Sequence, residues 1–446
     1  MSLSIEEMAS FCKRKGLVYN SAEIYGGMAG FFDYGPYGVE LKKNILNEWW
    51  KYMVSSRQDI VGMDGAIISP EAVWKASGHA ENFSDLMLVT EDKSYEVRAD
   101  VFLEEQLKRS FDGVSAEEVN KLVEEHKLVA PNKKKFKKCE SFNLMFPLKV
   151  GAAGTAAYLR GETTQMIYLN FSLIQNDARM KLPFGIAQTG KAFRNEISPR
   201  NFLFRCREFE QMEMQFFIKH GDNKKWFKFW QAERKAWYLS LGIKEKNLRY
   251  RAHNKDELAH YAKQAEDIEY NFPFGWKEIE GVHDRGNWDL STHMKHSKQK
   301  LDYYDEETKE RIIPNIIETS AGVDRNFLMF LYDAYDDDKE RGNIVLHLHP
   351  KLAPIKVAIL PLVKKVGLKE KAEEIFNSLK MNMVCFYDDS GSIGRRYARM
   401  DEIGTPYCIT IDFESLTDNS VTIRNRDSRE QKRVKIADLV SALDLS

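Results

Sequence analysis

The stretch FRNEISPRNFLFRCREFEQMEMQFF, residues 193–217, decides the fold of this chain. Its pattern predicts two strands joined by a loop. Alternation places Arg194 and Glu196 on one face of the first strand, and Arg205 and Arg207 on one face of the returning strand. Such a hairpin can bind a triphosphate, because guanidinium groups are planar, permanently charged and able to make bidentate contacts to phosphate. A surface hairpin rich in salt bridges is the alternative, and this segment alone leaves both open.

Three further segments carry charged side chains that could contribute to a site. They are RGETTQMIY (160–168), EIEGVHDRGNWDLSTHM (278–294) and TSAGVDRNFLMFLYDAY (319–335). In the last of these, Gly322 allows a ligand to approach closely, and Arg325 at a helix start adds to the positive end of the helix dipole. The candidate residues of the other two segments are Glu162, Glu278, His283, Asp284 and Asp289.

Length and composition predict a globular protein of two domains. The chain has 446 residues, of which 43% are hydrophobic and 30% are charged, and this length exceeds what one hydrophobic core usually organises. The formal net charge of -1 means that any nucleic-acid surface would be a local patch.

The five cysteines lack disulfide or metal-ligand spacing, which indicates reduced thiols. The N-terminus lacks a signal core and the apolar runs fall short of the ~18 residues of a membrane helix, so we expect a cytoplasmic protein without a membrane partner.

Hydrophobic periodicity divides the chain into a larger first part and a smaller second part. A helix at 39–55 and a strand at 60–68 are predicted in the first part. Two prolines in HLHPKLAP (347–354) interrupt both the helical and the strand periodicity. We therefore predict one domain over 1–350 and a second, of alternating strands and helices, over 351–446.

Two regions of the first part differ from their surroundings in composition. The stretch YGGMAGFFDYGPYG (25–38) is rich in glycine and aromatic residues, which predicts a tight loop where the backbone approaches a partner or a ligand. Residues 101–140 hold two charged helical patterns and the basic run NKKKFKK (132–138), and they are interpreted as an insertion that projects from the main sheet. The basic run is either a solvated turn or a contact to a phosphate backbone.

Together these segments resemble the signature blocks of the class II aminoacyl-tRNA synthetases. GMDGAIISP (62–70) resembles motif 1, FRNE with the returning strand resembles motif 2, and SAGVDR (320–325) resembles motif 3. RGETTQ and IETSAGVDR are similar to the forms found in glycyl-tRNA synthetases, and HPKLAPIKVAILPL (349–362) is similar to the start of their anticodon-binding domain. The resemblance implies an α/β (α+β) fold with an antiparallel sheet flanked by helices, followed by a C-terminal α/β anticodon-binding domain.

The resemblance implies a two-step reaction. Glycine and ATP form glycyl-adenylate, and the glycyl group then passes to tRNA(Gly). Arg194, Glu196 and Arg325 are the implied catalytic residues, with Arg194 between the α-phosphate and the substrate carboxylate. Glu278 is the implied ligand of the Mg²⁺ that accompanies ATP. The residues implied for ATP are Arg194, Asn195, Glu196, Phe204, Arg205, Phe209, Glu278, Ile279, Gly322 and Arg325.

Glycine has no side chain, so we expect its recognition to depend on its ammonium group and on the exclusion of larger side chains. By the same resemblance, Glu162 and Glu213 bind the ammonium group, since two buried carboxylates are costly unless a cation lies between them. Ser320 is expected to fill the volume of a β-carbon, which makes an editing domain unnecessary. The residues implied for glycine are Arg98, Glu162, Glu213, Glu318 and Ser320.

The resemblance also carries expectations about partners and metals. Many relatives have a cysteine-rich zinc ribbon in the insertion, but only Cys139 lies there, so we predict no structural zinc. Motif 1 implies a homodimer, and no DNA partner is expected. The candidate arginines for contact with the anticodon stem-loop are Arg395, Arg396, Arg399, Arg424, Arg426 and Arg429. For about half of them a solvated helix or hairpin face is the alternative.

Two alternatives to an active glycyl-tRNA synthetase remain. One is a catalytically retired paralogue that acts as a nucleic-acid-binding subunit, although such proteins typically lose the motif 2 and motif 3 arginines, which are present here. The other is a class II synthetase for a different amino acid, against which the pair Glu162 and Glu213 and the form SAGVDR speak.

Overall fold

The centre of the molecule is a seven-stranded sheet, here called the large sheet, in a computed structural model that describes residues 3–111, 113–254 and 263–445. Neighbouring strands are antiparallel, except that Ile60–Met63 runs parallel to Phe184–Phe193 at one edge. In spatial order the strands are Leu248–Ala252, Gln264–Phe272, Gly275–Gly286, Asn315–Gly322, Glu208–Ile218, Phe184–Phe193 and Ile60–Met63.

Three long helices cover one face of the large sheet with apolar side chains. They are Pro36–Trp50, Asn223–Ser240 and Val323–Ala334. Met212 and Met214 alternate along their strand into this core and are fully buried. The intervening residues of the same strand therefore point to the opposite face, where the cavity described below lies.

Shorter elements surround the large sheet. The remaining helices before residue 350 are Ile5–Arg14, Glu71–Ala76, His79–Asn82, Ala99–Leu107, Ala116–Glu125, Thr164–Leu169, Phe171–Asp177 and Trp288–Ser297, with 3-10 turns at Glu23–Tyr25, Phe202–Phe204 and Glu245–Asn247. Three small sheets have two strands each, and they pair Val18–Asn20 with Phe32–Tyr34, Tyr303–Asp305 with Glu310–Ile312, and Tyr335–Asp338 with Asn343–Leu346. Two more have three strands, in the spatial orders Ile68–Pro70, Thr155–Leu159, Phe146–Val150 and Glu96–Arg98, Ser84–Val89, Glu140–Asn143.

The single strand predicted at 60–68 is wrong. The strand in the large sheet ends at Met63, and Ile68–Pro70 pairs in a different sheet. The chain turns away at Gly65, whose amide donates to the side-chain oxygen of Gln188 at 2.9 Å. Arg160 donates to the carbonyl of the same glycine at 2.8 Å, so polar contacts hold the backbone out of the ladder.

The insertion at 101–140 has a small hydrophobic core of its own. Leu88, Phe102, Val119 and the thiol of Cys139 are buried together there. The lysines of the basic run 132–138 are exposed, while its one phenylalanine packs inward. Apolar packing therefore orders this region in the structure, and the absence of a structural zinc stays a prediction.

A separate five-stranded sheet, the C-terminal sheet, follows residue 356. Its strands in spatial order are Cys385–Tyr387, Val357–Pro361, Tyr407–Ile411, Ser420–Asn425 and Gln431–Lys435. Its helices are Leu368–Leu379, Ile393–Asp401, Ser415–Asp418 and Leu439–Ala442. The alternating pattern of strands and helices was predicted, but the strand Gln431–Lys435 was not. After this strand come a 3-10 turn at Ile436–Asp438 and the short helix Leu439–Ala442.

Main-chain carbonyls and arginines join the two sheets, in a contact called the arginine joint here. Arg341 donates to the carbonyls of Arg426 and Asp427 at 2.8 and 3.0 Å. Arg426 donates to the carbonyl of Leu348 at 2.8 Å and to that of Gly404 at 2.7 Å. Three of these four carbonyls belong to buried residues and that of Asp427 to an exposed one, so the joint is held by directional contacts as well as by apolar packing.

Among the helices that the structure describes, none has the length and apolar character needed to cross a bilayer.

Candidate functional site

A cavity of about 190 Å³ opens on the face of the large sheet that the three long helices leave free. Three neighbouring central strands supply much of its lining, and alternation along each strand selects the residues that face it. The strand residues concerned are Phe209, Gln211, Glu213, Glu278, His283, Arg285, Glu318, Ser320 and Gly322. Glu162 and the loop 194–206 complete the wall.

A β-bulge determines which acidic residue of the strand Gly275–Gly286 faces the cavity. The pairing register shifts so that Ile268 lies opposite Glu280 while Glu269 lies opposite Glu278, which leaves Ile279 as the extra residue. Glu278 therefore faces the cavity, whereas Glu280 is fully buried beneath the sheet, where it pairs with Arg234 at 2.6 Å.

Glu213 lies at the acidic end of the cavity and accepts hydrogen bonds on both carboxylate oxygens. Thr163 and Thr164 donate their hydroxyls to one oxygen. Gln211 donates to the other at 2.9 Å, and Ser320, its cross-strand neighbour, donates at 2.6 Å. Burial, followed by the nearby charges of Glu318 and Glu162, raises the pKa of Glu213 to about 7. Among the described residues no cation forms an ion pair with this carboxylate, in keeping with the raised pKa.

Glu318 is held ionised by three cationic or polar neighbours. Its oxygens contact His283 Nδ1 at 2.7 Å, Arg285 Nη1 at 2.8 Å and Gln215 Nε2 at 2.8 Å. Burial alone would raise its pKa, but Arg285 and His283 outweigh burial and lower the pKa of Glu318 to about 2. Arg285 is in turn oriented by Asp289, which accepts from Nε at 2.8 Å and from Nη2 at 2.9 Å.

Glu162 completes a group of three carboxylates at this end. Gln165 donates to one of its oxygens at 2.8 Å, and His79 Nε2 lies 3.5 Å from the other. Although burial disfavours the ionised form, the charges of His79 and Arg285 lower the pKa of Glu162. Glu162 and Glu318 thus have cationic contacts, whereas Glu213 has no ion pair among the described residues. A bound ammonium group would supply that missing charge.

Guanidinium groups and aromatic rings form the opposite, basic end of the cavity. Arg194 donates to the carbonyl of Gly161 at 3.1 Å, and its Cζ lies 5.3 Å from the centroid of the Phe209 ring. Arg325 lies over the Phe204 ring at 4.4 Å and pairs with Glu278 at 3.0 Å. Three permanent positive charges next to two aromatic faces are suited to a nucleotide triphosphate.

The third guanidinium of the basic end, that of Arg205, is incompletely satisfied. Its Nη1 lies 3.5 Å from Oε2 of Glu196. Within the described part of the chain neither of these two buried atoms has a hydrogen-bond partner. A buried charged donor without a partner is costly, so this pair favours a polar ligand in the cavity.

The predicted hairpin differs from the structure in the position of its strands. The first strand ends at Phe193 and the second begins at Glu208, so Arg194, Glu196 and Arg205 lie in the loop between them. The shared face predicted for Arg205 and Arg207 is wrong for this reason. Arg205 lines the cavity, whereas Arg207 donates to the main-chain carbonyls of Glu196 and Ala29 at 2.9 and 3.2 Å.

Most of the predicted site residues meet around this one cavity, and three do not line it. The lining includes Glu162, Arg194, Glu196, Phe204, Arg205, Phe209, Glu213, Glu278, Glu318, Ser320, Gly322 and Arg325. Arg98 instead contacts Asp85 at 2.9 Å and Asp100 at 2.6 Å. Ile279 is buried in the core as the bulge residue, and the amide of Asn195 donates to the carbonyl of Leu144 at 2.7 Å.

Several lining residues had no predicted role. Gln211, His283, Arg285 and Asp324 all face the cavity. His283 was a candidate residue without an assigned role. It lies directly opposite Glu318 on the neighbouring strand, which accounts for its contact with that carboxylate. Arg285 carried a local signal, because Asp289 follows it at the i+4 spacing of a helical ion pair.

Glu278 is the candidate ligand for the Mg²⁺ that the resemblance implies. Its carboxylate is half-exposed at the cavity, and Mg²⁺ is commonly held by one or two carboxylates together with substrate phosphates. Within the described residues no group of three or more His, Cys, Asp or Glu side chains is arranged to hold a metal ion.

The C-terminal arginines fall into two groups. Arg396, Arg424 and Arg426 are buried, and the prediction that they contact RNA is wrong for these three. Arg396 donates to the carbonyls of Pro361, Asp388 and Leu362, while Arg424 makes a bidentate pair with Asp401. Those that remain on the surface are Arg395, Arg399 and Arg429.

Comparison with known proteins places this architecture and cavity in a family. The profile described as "tRNA synthetase class II core domain (G, H, P, S and T)" matches residues 152–334, and that described as "Anticodon binding domain" matches 356–444. A prolyl-tRNA synthetase from Cryptosporidium parvum, solved with L-proline and AMP, has a TM-score of 0.63 at 14% identity and aligns over 98% of this chain and 74% of its own. It supports the fold alone.

Curated relatives are similar over the full length. The glycine–tRNA ligase of Treponema denticola is 48% identical over 99% of this chain and 96% of its own. That of Geobacillus thermodenitrificans is 47% identical over 100% and 98%, respectively, and that of Borreliella afzelii is 49% identical over 98% and 96%. The chain therefore belongs to the glycine–tRNA ligase family of class II aminoacyl-tRNA synthetases.

Proposed function

We propose that this protein uses ATP to attach glycine to tRNA(Gly) through a glycyl-adenylate, and that the cavity described above is where both steps occur. The observation that carries the proposal is the distribution of charge in the cavity. One end has three carboxylates with one guanidinium group, that of Arg285, and the other has three guanidinium groups beside the carboxylates of Glu196 and Glu278. Glycyl-adenylate has the matching polarity, because its ammonium group and its phosphate lie at opposite ends of a short molecule.

The activation step depends on positioning and on charge stabilisation at the basic end. A carboxylate oxygen of glycine attacks the α-phosphorus of ATP, the bond to the β-phosphate bridge oxygen breaks, and pyrophosphate leaves. Arg194 is placed to neutralise charge on the α-phosphate, and Arg205 and Arg325 to bind the departing phosphates. Phe204 and Phe209 offer ring faces against which adenine can pack.

Glu278 would hold Mg²⁺, which supplies positive charge to the phosphate oxygens when it is bound. The Arg325–Glu278 contact of 3.0 Å keeps the carboxylate oriented toward the cavity before a nucleotide arrives. Arg325 can then exchange this carboxylate for phosphate oxygens, to which it is also suited.

Glycine recognition is assigned to the acidic end. Glu213 and Glu162 would bind the ammonium group, and Glu318 adds to the negative potential while Arg285 and His283 hold it in place. Ser320 donates to Glu213 at 2.6 Å, which fixes its hydroxyl where a substrate side chain would begin. Steric exclusion of this kind rejects larger amino acids without a second, hydrolytic site.

In the second step the terminal ribose hydroxyl of tRNA attacks the glycyl carbonyl and AMP leaves. We assign residues 1–350 to catalysis and 351–446 to anticodon binding, with Arg395, Arg399 and Arg429 as the exposed cations available for the anticodon stem-loop. No role for DNA is proposed. A cytoplasmic location remains a prediction from the thiol usage and the N-terminal sequence.

We further propose a homodimer built on the motif 1 helix and the edge strand Ile60–Met63. Within the described residues this strand has a partner on one side only, so its other edge is available to a second subunit. Sedimentation at micromolar concentration should give the mass of two chains. A single monomeric species would contradict the proposal.

The retired-paralogue alternative finds no support. The cationic and acidic residues expected of an active site surround one cavity, and the full-length relatives carry the name of the enzyme.

The experiment that tests the proposal is amino-acid-dependent ATP–pyrophosphate exchange with each of the twenty amino acids and Mg²⁺. Exchange with glycine alone, followed by charging of tRNA(Gly), is the expected result. Exchange with another amino acid would refute the assignment of the acidic end, and no exchange with any would refute activation altogether.

A further inference from the structure

The loop at residues 22–30, called the apolar loop here, has no role in the site described above. Its residues 22–29 are all exposed. Three of them are large and apolar: Ile24 is 89% exposed, Tyr25 is 88% exposed and Met28 is 56% exposed. Single exposed apolar residues are ordinary on protein surfaces, but three on one short loop indicate a contact surface.

The base of the apolar loop is attached to the loop that lines the basic end of the cavity. The amide of Arg207 donates to the carbonyl of Gly30 at 2.8 Å, and its Nη1 donates to that of Ala29 at 3.2 Å. The Nε of the same arginine donates to the carbonyl of Glu196 at 2.9 Å, and Glu196 itself lines the cavity. One guanidinium therefore fixes the apolar loop beside the nucleotide end of the site.

Glycines set the shape of this loop. Gly26 and Gly27 follow the 3-10 turn with φ of +94° and +75°, a region that residues with a β-carbon rarely adopt. Gly30 lies against Pro199, and a β-carbon there would come within 2.9 Å of that ring. The amides of Gly26 and Gly27 donate to the carbonyls of Glu23 and Ala22 at 3.0 and 3.2 Å, and these bonds close the turn at the tip although its side chains make no part of the core.

We propose that the apolar loop binds the single-stranded 3′ end of tRNA during glycyl transfer, with Tyr25 as the stacking side chain. This inference rests on the proposed function, in which that end of the RNA must enter the cavity. Unpaired bases are bound by stacking on aromatic side chains and by apolar contact. An exposed aromatic tip fixed to the wall of the cavity offers such a surface where the strand must pass.

A second copy of this chain is a poorer occupant of the apolar loop. Stable protein interfaces bury about 1,200–2,000 Å² in total, whereas a large aromatic side chain buries about 150–250 Å². Three side chains on one tip fall well short of that area. One or two bases, in contrast, can be covered by a single ring and its apolar neighbours.

The test separates the two half-reactions in the full-length protein. Tyr25→Ala should leave glycine-dependent ATP–pyrophosphate exchange unchanged and lower kcat/KM for tRNA(Gly) in aminoacylation by about 5- to 150-fold, the range that one stacked base supplies. Tyr25→Phe keeps the ring and should retain transfer. Val366→Ala, which removes an equally exposed apolar side chain (86% exposed) in the C-terminal region, is the matched control and should change neither reaction.

Each other outcome overturns the inference. Normal aminoacylation by Tyr25→Ala would show that the loop does not bind the RNA end. Loss of exchange in that variant would place the loop in activation, and a lower sedimentation mass would identify it as a contact between copies. Failure of the unchanged protein to exchange pyrophosphate with glycine would instead refute the proposed function. The two failures are therefore distinguishable, because one appears only in Tyr25→Ala and the other already in the unchanged protein.

Discussion

Replacing Glu213 with glutamine tests how the cavity selects glycine. The change keeps the size of the side chain but removes the negative charge, at a position that is 2% exposed and surrounded by four hydrogen-bond donors. A hydrogen bond to a charged group contributes about 1.5–3 kcal/mol, which corresponds to an increase of about 10- to 150-fold in the Michaelis constant for glycine. Glu162 and Glu318 remain, so binding should be weakened and not abolished.

The assay is pyrophosphate exchange with glycine varied at saturating ATP, and then with ATP varied at saturating glycine. The Michaelis constant for ATP should stay unchanged, because the basic end of the cavity is untouched. Glu208→Gln is the matched control, since it lies on the same strand but on the other face, in a surface pair with Lys191 worth only about 0–1 kcal/mol. Equal changes for glycine and ATP in Glu213→Gln would falsify the assignment of this carboxylate to the ammonium group.

Three further outcomes follow from the structure. The Michaelis constant for glycine should rise as pH falls through about 7, because the pKa of Glu213 is raised to about 7 and only its ionised form attracts ammonium. A Michaelis constant that does not change with pH in the unchanged protein, or the same rise in Glu213→Gln, would contradict this prediction. Arg194→Ala should lower exchange by about 100- to 1,000-fold, the usual effect of losing one charge-stabilising donor, with an unchanged circular dichroism spectrum, and normal exchange would mean that the α-phosphate is bound elsewhere. Arg396→Ala should lower the free energy of unfolding by about 3 kcal/mol because it leaves buried carbonyls without donors. The control Arg395→Ala removes an exposed neighbour and should leave the free energy of unfolding unchanged. Equal melting curves for the two variants would refute the structural role of Arg396.

Much of the cavity could be predicted from sequence because its residues obey strand alternation. Glu213 and Ser320 face the same side as a consequence of period-two geometry, and their pairing across two strands brings them together. The motif resemblance supplied the antiparallel sheet to which these strands belong, which local patterns do not contain. Hydrophobic periodicity predicted the alternation of strands and helices in the C-terminal region, where apolar runs alternate clearly, but not its last strand, Gln431–Lys435.

The remaining differences arise where tertiary contacts override a local pattern. The bulge at Ile279 changes which residues of its strand face the cavity, and no residue type at that position indicates a bulge in the sequence. The strand from Ile60 breaks because Gln188 and Arg160 take the backbone groups of Gly65. Polar side chains from distant parts of the sequence make these contacts, so a window of neighbouring residues cannot show them.

Arginine burial was the other property that sequence could not supply. Arg395 and Arg396 are adjacent and identical in type, yet one is exposed and the other is buried against main-chain carbonyls. The guanidinium group of an arginine can donate hydrogen bonds either to a phosphate or to a main-chain carbonyl. Only the path of the surrounding chain decides between them.

The arginine joint has a consequence for how the enzyme uses a long substrate. Because Arg341 donates to the carbonyls of Arg426 and Asp427, and Arg426 donates to that of Leu348, rotation about residues 347–354 would break several directional bonds together. The span between the cavity and the anticodon-binding region is then a fixed length of the protein. An RNA of the wrong length can engage one end of the molecule but cannot reach the other, so the joint makes the overall dimension of the tRNA a criterion of recognition alongside its sequence.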